Sequence, residues 1–246
     1  MEDRTMIRVK HKKRIKVEVL VRNATLDDVN GILDLEQETW PFFPANREKV
    51  ESRIQTFPEG SFVVTLSNGE IVGYLSLQFI NYDLENPKAS SWDEMTDCGT
   101  IRKSHLIDGA YIFGVGMSVS PRYQNMGIAT RLFFATWAIG VGYNRRGCML
   151  GSRMPGYADV KDRYSPEQYV QLRREDGKLF DPELRLYEGD GFRQICLLPN
   201  YENDPPSCDY GVLVYQGNPF YNRGGRLFQR LAAWFLARWG HKIIGV

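Results

Sequence analysis

The spacing of apolar positions changes along the chain, and each change marks an element. Residues 14–22 (RIKVEVLVR) alternate apolar and polar in the manner of a strand. Thr25, in ATLDD, is then placed to cap a helix whose apolar positions Val29, Ile32, Leu33 and Leu35 recur at helical spacing. Residues 61–80 (SFVVTLSNGEIVGYLSLQFI) read as two strands meeting at Asn68-Gly69, a pair that readily takes the positive backbone angles of a tight hairpin. Residues 81–108 keep neither period and form a long irregular insertion.

Residues 109–119 (GAYIFGVGMSV) alternate again. Tyr111, Phe113, Val115, Met117 and Val119 make a bulky face, while Ala110, Ile112, Gly114, Gly116 and Ser118 make a nearly bare one. Glycines inside a strand mark a bulge or the close approach of another group. A helix at 128–143, a strand at 146–152, and a capped start at Ser165-Pro166-Glu167-Gln168 follow. A short helix from Asp181-Pro182 to Gly189 and strands at 192–198 and 210–216 complete the alternation. From Asn222 onward, Leu227, Phe228, Leu231, Phe235 and Trp239 share one helical face.

The joint between the 109–119 strand and the next helix reads VSPRYQNMGIATRL, residues 119–132. A strand entering a helix there leaves several N–H groups without intrahelical partners, and the helix dipole adds roughly half a positive charge. Gly127 permits an unusual backbone conformation and a close ligand, and Ala129 keeps the next approach point small. No acidic residue lies between Gly109 and Tyr157 to compete with an anion. The joint is therefore expected to hold a phosphate. No G-x-x-x-x-G-K-[ST] occurs, and Gly114-Val115-Gly116 lacks the third glycine of a dinucleotide fingerprint.

Composition narrows the rest. A formal net charge of +1 gives no whole-chain field for nucleic acid. Four cysteines without C-x-x-C spacing predict neither zinc nor a disulfide framework, and no metal is expected. The N-terminus has no apolar signal-peptide core, so a cytoplasmic setting is expected. The apolar run 132–142 is far shorter than the ~20 residues of a membrane span.

The order of strand, helix, hairpin, glycine-bearing strand, Q-x-x-G-x-A (Gln124 to Ala129), further strand and late L-Y-x-x-x-G-F (Leu186 to Phe192) resembles the GCN5-related N-acetyltransferase superfamily over about residues 17–216. Within it, RMPGY (153–157), LFDPELRLYEGDGF (179–192) and LPNY (198–201) resemble acetyltransferase domains found next to carbon–nitrogen hydrolase domains, and no such second domain is expected within these 246 residues. The resemblance implies an α/β (α+β) fold with a mixed, mostly antiparallel twisted sheet flanked by helices. It implies acetyl-CoA as co-substrate. Backbone at Met117, Ser118 and Val119 would pair with pantetheine, and Gln124, Asn125, Gly127, Ile128, Ala129 and Thr130 would cradle the pyrophosphate. Arg122 or Arg131 would be placed to reach the 3′-phosphate, and Tyr187 stands where the family's usual thiolate acid sits. Asp108, at the entry of the glycine-bearing strand, is a candidate base.

The expected organisation is a basic arm at 1–16 (Arg4, Arg8, Lys10, Lys12, Lys13, Arg14, Lys16), an N-acetyltransferase domain at 17–221, and an amphipathic helix at 222–246. The acceptor is expected to be a small-molecule or peptide amine, lined by Trp40-Pro41-Phe42-Phe43, 81–108 and 153–180, with the acidic surplus of 81–108 favouring a cation. Neither nucleic acid nor a membrane is expected as partner. The terminal helix packs on its own domain or on a twin subunit, with a membrane surface as the lesser reading. A non-catalytic acyl-CoA-binding module is the alternative function, and a scaffold using the terminal helix is a third.

Overall fold

In the computed structural model, which describes residues 3–8, 16–41 and 43–243, one sheet of eight strands organises the chain. The strands are β1 (Asp3–Arg8), β2 (Lys16–Asn23), β3 (Ser61–Leu66), β4 (Ile71–Ile80), β5 (Tyr111–Val119), β6 (Gly147–Arg153), β7 (Arg193–Leu198) and β8 (Gly211–Gly217). Their order across the sheet is β1-β2-β3-β4-β5-β6-β8-β7, and only β5 and β6 run parallel. The helices are α1 (Val29–Thr39), α2 (Arg47–Thr56), α3 (Trp92–Thr96), α4 (Ile128–Gly142), α5 (Pro166–Tyr169), α6 (Pro182–Gly189) and α7 (Gly225–Ile243). The expected mixed, mostly antiparallel sheet flanked by helices is present.

Strand alternation assigns the helices to faces. Val63 and Tyr74, paired across β3 and β4, pack with Val29, Ile32 and Leu35 of α1 and Val50 and Ile54 of α2. One residue along, Val64 pairs with Gly73, where a Cβ would lie 2.9 Å from Ile128 of α4. So α1 and α2 cover one face and α4 the other. Each aliphatic side chain fully buried this way contributes about 1.5–3 kcal/mol.

Local signals explain most boundaries. Gly69, at φ +87°, closes the β3–β4 hairpin. Asp28 accepts from the N–H and hydroxyl of Thr25 at 2.8 and 3.0 Å, tightening a single turn ahead of α1. Asp181 accepts from the N–H groups of Glu183 and Leu184 and so starts α6.

Three elements differ from the sequence reading. Arg4 and Arg8 of the basic arm lie on β1, an edge strand paired with β2. Lys10, Lys12, Lys13 and Arg14 lie outside the described residues, as does Phe42. Helix α2 carries only Val50 and Ile54 as apolar positions, yet Asn46 caps it through Lys49 N–H at 3.0 Å. The 81–108 insertion holds α3, capped by Ser91. The last helix, α7, packs along α4, with a Cβ at Gly142 falling 3.4 Å from that of Ala233.

Candidate active site

The site begins where β5 and β6 part. Their parallel ladder pairs only Ile112 with Cys148 and Phe113 with Met149. Beyond those pairs β5 keeps β4 on one side, while β6 stays with β8. The edge of β5 from Gly114 to Val119 thus carries no ladder to β6, the arrangement that accepts an extended amide chain as an added strand.

A bulge controls what this edge presents. The β4–β5 register passes from Leu77 opposite Gly114 to Ser76 opposite Gly116, leaving Val115 extra. Ile112 faces α4, where a Cβ at Gly140 would lie 2.7 Å from its Cδ1. Ser118, six residues on, instead donates to Glu36 of α1 at 2.5 Å. An unbroken strand would put both on one face. The single bare face expected from 109–119 is therefore corrected: Ile112 and Gly114 point toward α4, whereas Gly116 and Ser118 point toward α1. A Cβ at Gly116 would meet nothing within 4 Å, so open space adjoins the strand there.

At the end of β5, Pro121–Tyr123 makes one tight turn, and Asn125 (φ +61°) and Gly127 (φ +82°) take the left-handed conformation before α4. Gly127 occupies the N-cap position without a side chain to satisfy the first amides of Ile128, Ala129 and Thr130. No acidic residue sits in the first turn of α4. The strand-to-helix joint expected from the sequence therefore carries N–H groups at the positive end of the α4 dipole, an arrangement suited to an anion. Of the two arginines considered for a further phosphate, Arg122 is engaged by Glu70 at 2.6 Å and Glu38 at 3.4 Å, and Arg131 is buried.

Two tryptophans wall the gap. Trp40 donates its indole N–H to Ser118 Oγ at 2.8 Å, and its ring lies 4.7 Å from the guanidinium of Arg153, so it spans from β5 to β6 on the α1 face. Trp92 donates its indole N–H to the Val115 carbonyl at 2.9 Å and its backbone N–H to Tyr201 O at 2.7 Å. Tyr201 in turn covers β6 at Gly151, where a Cβ would come within 2.0 Å of the ring. Phe43, from the same expected aromatic lining, is exposed.

A charged cluster borders the gap at the end of β6. Arg153 donates to Glu183 at 2.5 Å and to Asp204 at 3.3 Å. Burial pushes the Glu202 carboxyl from 4.5 up to about 7; Arg153 opposes the shift, while Asp204, Glu183 and Asp93 add to it. Burial likewise raises Glu183. Tyr187 lies four residues after Glu183, one turn along α6, edge-on to Phe133 of α4 at 6.3 Å and to Phe192 at 5.6 Å. Burial first, and the Glu183 charge second, hold its phenol well above the usual tyrosine range, so it stays protonated.

The fold thus brings Met117, Ser118, Val119, Gln124, Asn125, Gly127, Ile128, Ala129 and Thr130 into one continuous edge and turn. Ser118 belongs to it through its backbone, since its hydroxyl is turned to Glu36. Asp108 does not join them: it is exposed beside Arg145, at the end of β5 where the strand still pairs with β6. Arg153, Glu183, Glu202 and Asp204 escaped sequence reasoning, because they come from β6, α6 and the loop after β7 and share no spacing. Among the described residues no group of three or more His, Cys, Asp or Glu could hold a metal ion.

The fold sets an open strand edge beside a glycine-capped helix N-terminus, and comparison with known proteins assigns the chain to a family. The model of the Acetyltransferase (GNAT) family matches residues 29–155, and the chain belongs to that family of acyltransferases. It is 31% identical over 211 residues to the Bacillus subtilis (strain 168) protein described as "Probable hydrolase YhcX", covering 85% of this chain and 40% of that one. It is 32% identical over 208 residues to the "Uncharacterized N-acetyltransferase YkwB" of the same organism, covering 82% of this chain and 90% of the relative. Among solved structures, the GphF GNAT-like decarboxylase in complex with isobutyryl-CoA superposes with a TM-score of 0.69 at 25% identity, over 80% of this chain and 98% of that one. The loading GNATL domain of CurA from Lyngbya majuscula gives 0.67 at 24% identity, over 81% and 98%, and shares the fold.

Proposed function

We propose that this protein is an N-acetyltransferase that moves the acetyl group of acetyl-CoA directly to an amine. The observation that carries the reading is the parting of β5 from β6 immediately before the left-handed turn at Asn125 and Gly127. In this reading the β5 backbone at Met117 and Val119 pairs with pantetheine, and the amides from Gln124 to Thr130 hold the pyrophosphate. The thioester then lies in the gap between Trp40 and the α6 face carrying Tyr187.

The amine lone pair attacks the thioester carbonyl carbon, and the carbonyl electrons move to oxygen, which takes hydrogen bonds from N–H groups near Met117. Glu202, raised to about 7, takes the proton from the attacking nitrogen. Collapse of the tetrahedral species breaks the C–S bond, and the departing thiolate takes its proton from Tyr187. Three carboxylates around one guanidinium leave the cluster net negative, which favours a cationic acceptor.

The likeness to GphF, a GNAT-like decarboxylase, motivates a second reading in which the chain decarboxylates a carboxyacyl-CoA. The same cluster argues against it, because a substrate carboxylate would enter beside Glu183, Glu202 and Asp204. One assay separates the two. Thiol release from acetyl-CoA across a panel of mono- and polyamines supports the transferase. Carbon dioxide release from malonyl- or methylmalonyl-CoA without an amine supports the decarboxylase. Tight acetyl-CoA binding with neither turnover would leave the acyl-CoA-binding module.

A further inference from the structure

Helix α7 turns two faces in different directions. Gln229 is buried, and Ala232, Ala233, Leu236 and Ala237 are partly covered, on the side packed along α4. Leu227, Leu231 and Trp234 are 74%, 59% and 53% exposed, and Phe228 and Phe235 are exposed beside them. At ~100° per residue these five fall in one arc of roughly 120°, turned away from the buried side. Exposed leucines are ordinary when scattered, but a contiguous aromatic and aliphatic stripe marks a contact surface.

Charge separates the occupants. Residues 210–246 contain five Lys or Arg and no Asp or Glu, while the rest of the chain carries −4. By the same spacing Arg230 lies just outside one edge of the apolar arc, Arg226 about 40° further round, and Arg238 falls within the arc toward its C-terminal end, with its guanidinium 5.8 Å from the Trp234 ring; all three are exposed. A twofold dimer through this face would set the arginines of one copy against those of the other, with no carboxylate in the segment to pair them. No described helix is long and apolar enough to cross a bilayer. A helix ~28 Å long with a Trp/Phe/Leu face and an arginine border has instead the make-up of one lying in an anionic interface.

We propose that α7 docks the protein on an anionic lipid surface, its apolar arc set into the acyl–headgroup boundary and Arg226 and Arg230 against the lipid phosphates. This reverses the expectation of no membrane partner and stands independently of the proposed chemistry.

The test is co-sedimentation of the full chain with phosphatidylcholine vesicles, alone or with about one-third phosphatidylglycerol. The expected result is pelleting with the anionic vesicles only, weakened at least tenfold at ~0.5 M salt. Replacing both Arg226→Gln and Arg230→Gln should weaken it about 30-fold at low salt. Leu231→Ser with Trp234→Ser should abolish it; both sites are exposed, and unchanged melting temperature and acetyl-CoA affinity would show that the fold is kept. Three results would overturn the proposal: no pelleting with anionic vesicles, equal pelleting with phosphatidylcholine alone, or a solution dimer that the Leu231→Ser, Trp234→Ser variant dissociates.

Discussion

The indole N–H of Trp92 donates to the carbonyl of Val115 at 2.9 Å, at the residue where the β4–β5 register slips. A bulge leaves its extra residue without a ladder partner, and here a side chain from the 81–108 insertion supplies one. The insertion therefore braces the strand that faces the gap. Trp92→Phe should keep the ring but orphan the carbonyl, lowering stability by about 1–3 kcal/mol. It should also weaken acetyl-CoA binding more than a surface change of equal stability effect. Denaturant unfolding and titration calorimetry on the variant measure the two.

Gly127→Val addresses the turn. At φ +82° a β-branched residue is strained, and its side chain would occupy the approach to the first amides of α4. The expected outcome is loss of acetyl-CoA binding in a protein that still folds. Unchanged affinity by calorimetry would remove the N–H cradle from the proposed mechanism.

Tyr187→Phe keeps the ring contacts with Phe133 and Phe192 and removes the proton. kcat should fall ~10²- to 10⁴-fold with little change in acetyl-CoA affinity. Normal turnover, with chemistry shown to be rate-limiting, would make Tyr187 a packing residue.

Glu202 gives two pH signatures. As a base it must be ionised, so kcat/KM should rise through about pH 7, and Glu202→Gln should abolish that limb. For stability the direction is opposite. Between 4.5 and about 7 the folded chain holds a proton that the unfolded chain has released, so stability falls as pH rises through that window. Glu202→Gln should flatten that slope, read as denaturation midpoints across the same range.

Sequence was most informative where one short segment decides the geometry. Asn68-Gly69 marks a hairpin, Gln124 to Ala129 marks the strand-to-helix joint, and Asp181-Pro182 marks the start of α6, because turn and cap chemistry act over a few residues. Helix α2 was illegible because Val50 and Ile54 make too narrow an apolar stripe among charged neighbours. The bulge at Val115 was only hinted at by its flanking glycines, since the slip is a relation to β4 rather than a property of β5. The Arg153, Glu183, Glu202 and Asp204 cluster exists only after the sheet order sets β6 beside β8 and β7.

That sheet order has a mechanical consequence. Between β1–β5 and the β6–β8–β7 unit, the strand ladder runs to two residue pairs, supplemented by backbone bonds from Arg146 N–H to Ala110 O and from Trp92 N–H to Tyr201 O, with Trp40, the Trp92 indole and the face helices bracing the seam. A ligand whose own amides join the β5 edge would act as an extra rung. The seam should be the most easily opened line in the unliganded protein, and those amides of Ile112, Phe113, Cys148 and Met149 that donate across it should exchange hydrogen faster than those of the β3–β4 hairpin. Occupancy of the gap would then slow exchange on both sides at once, making the cofactor a structural member of the sheet it visits.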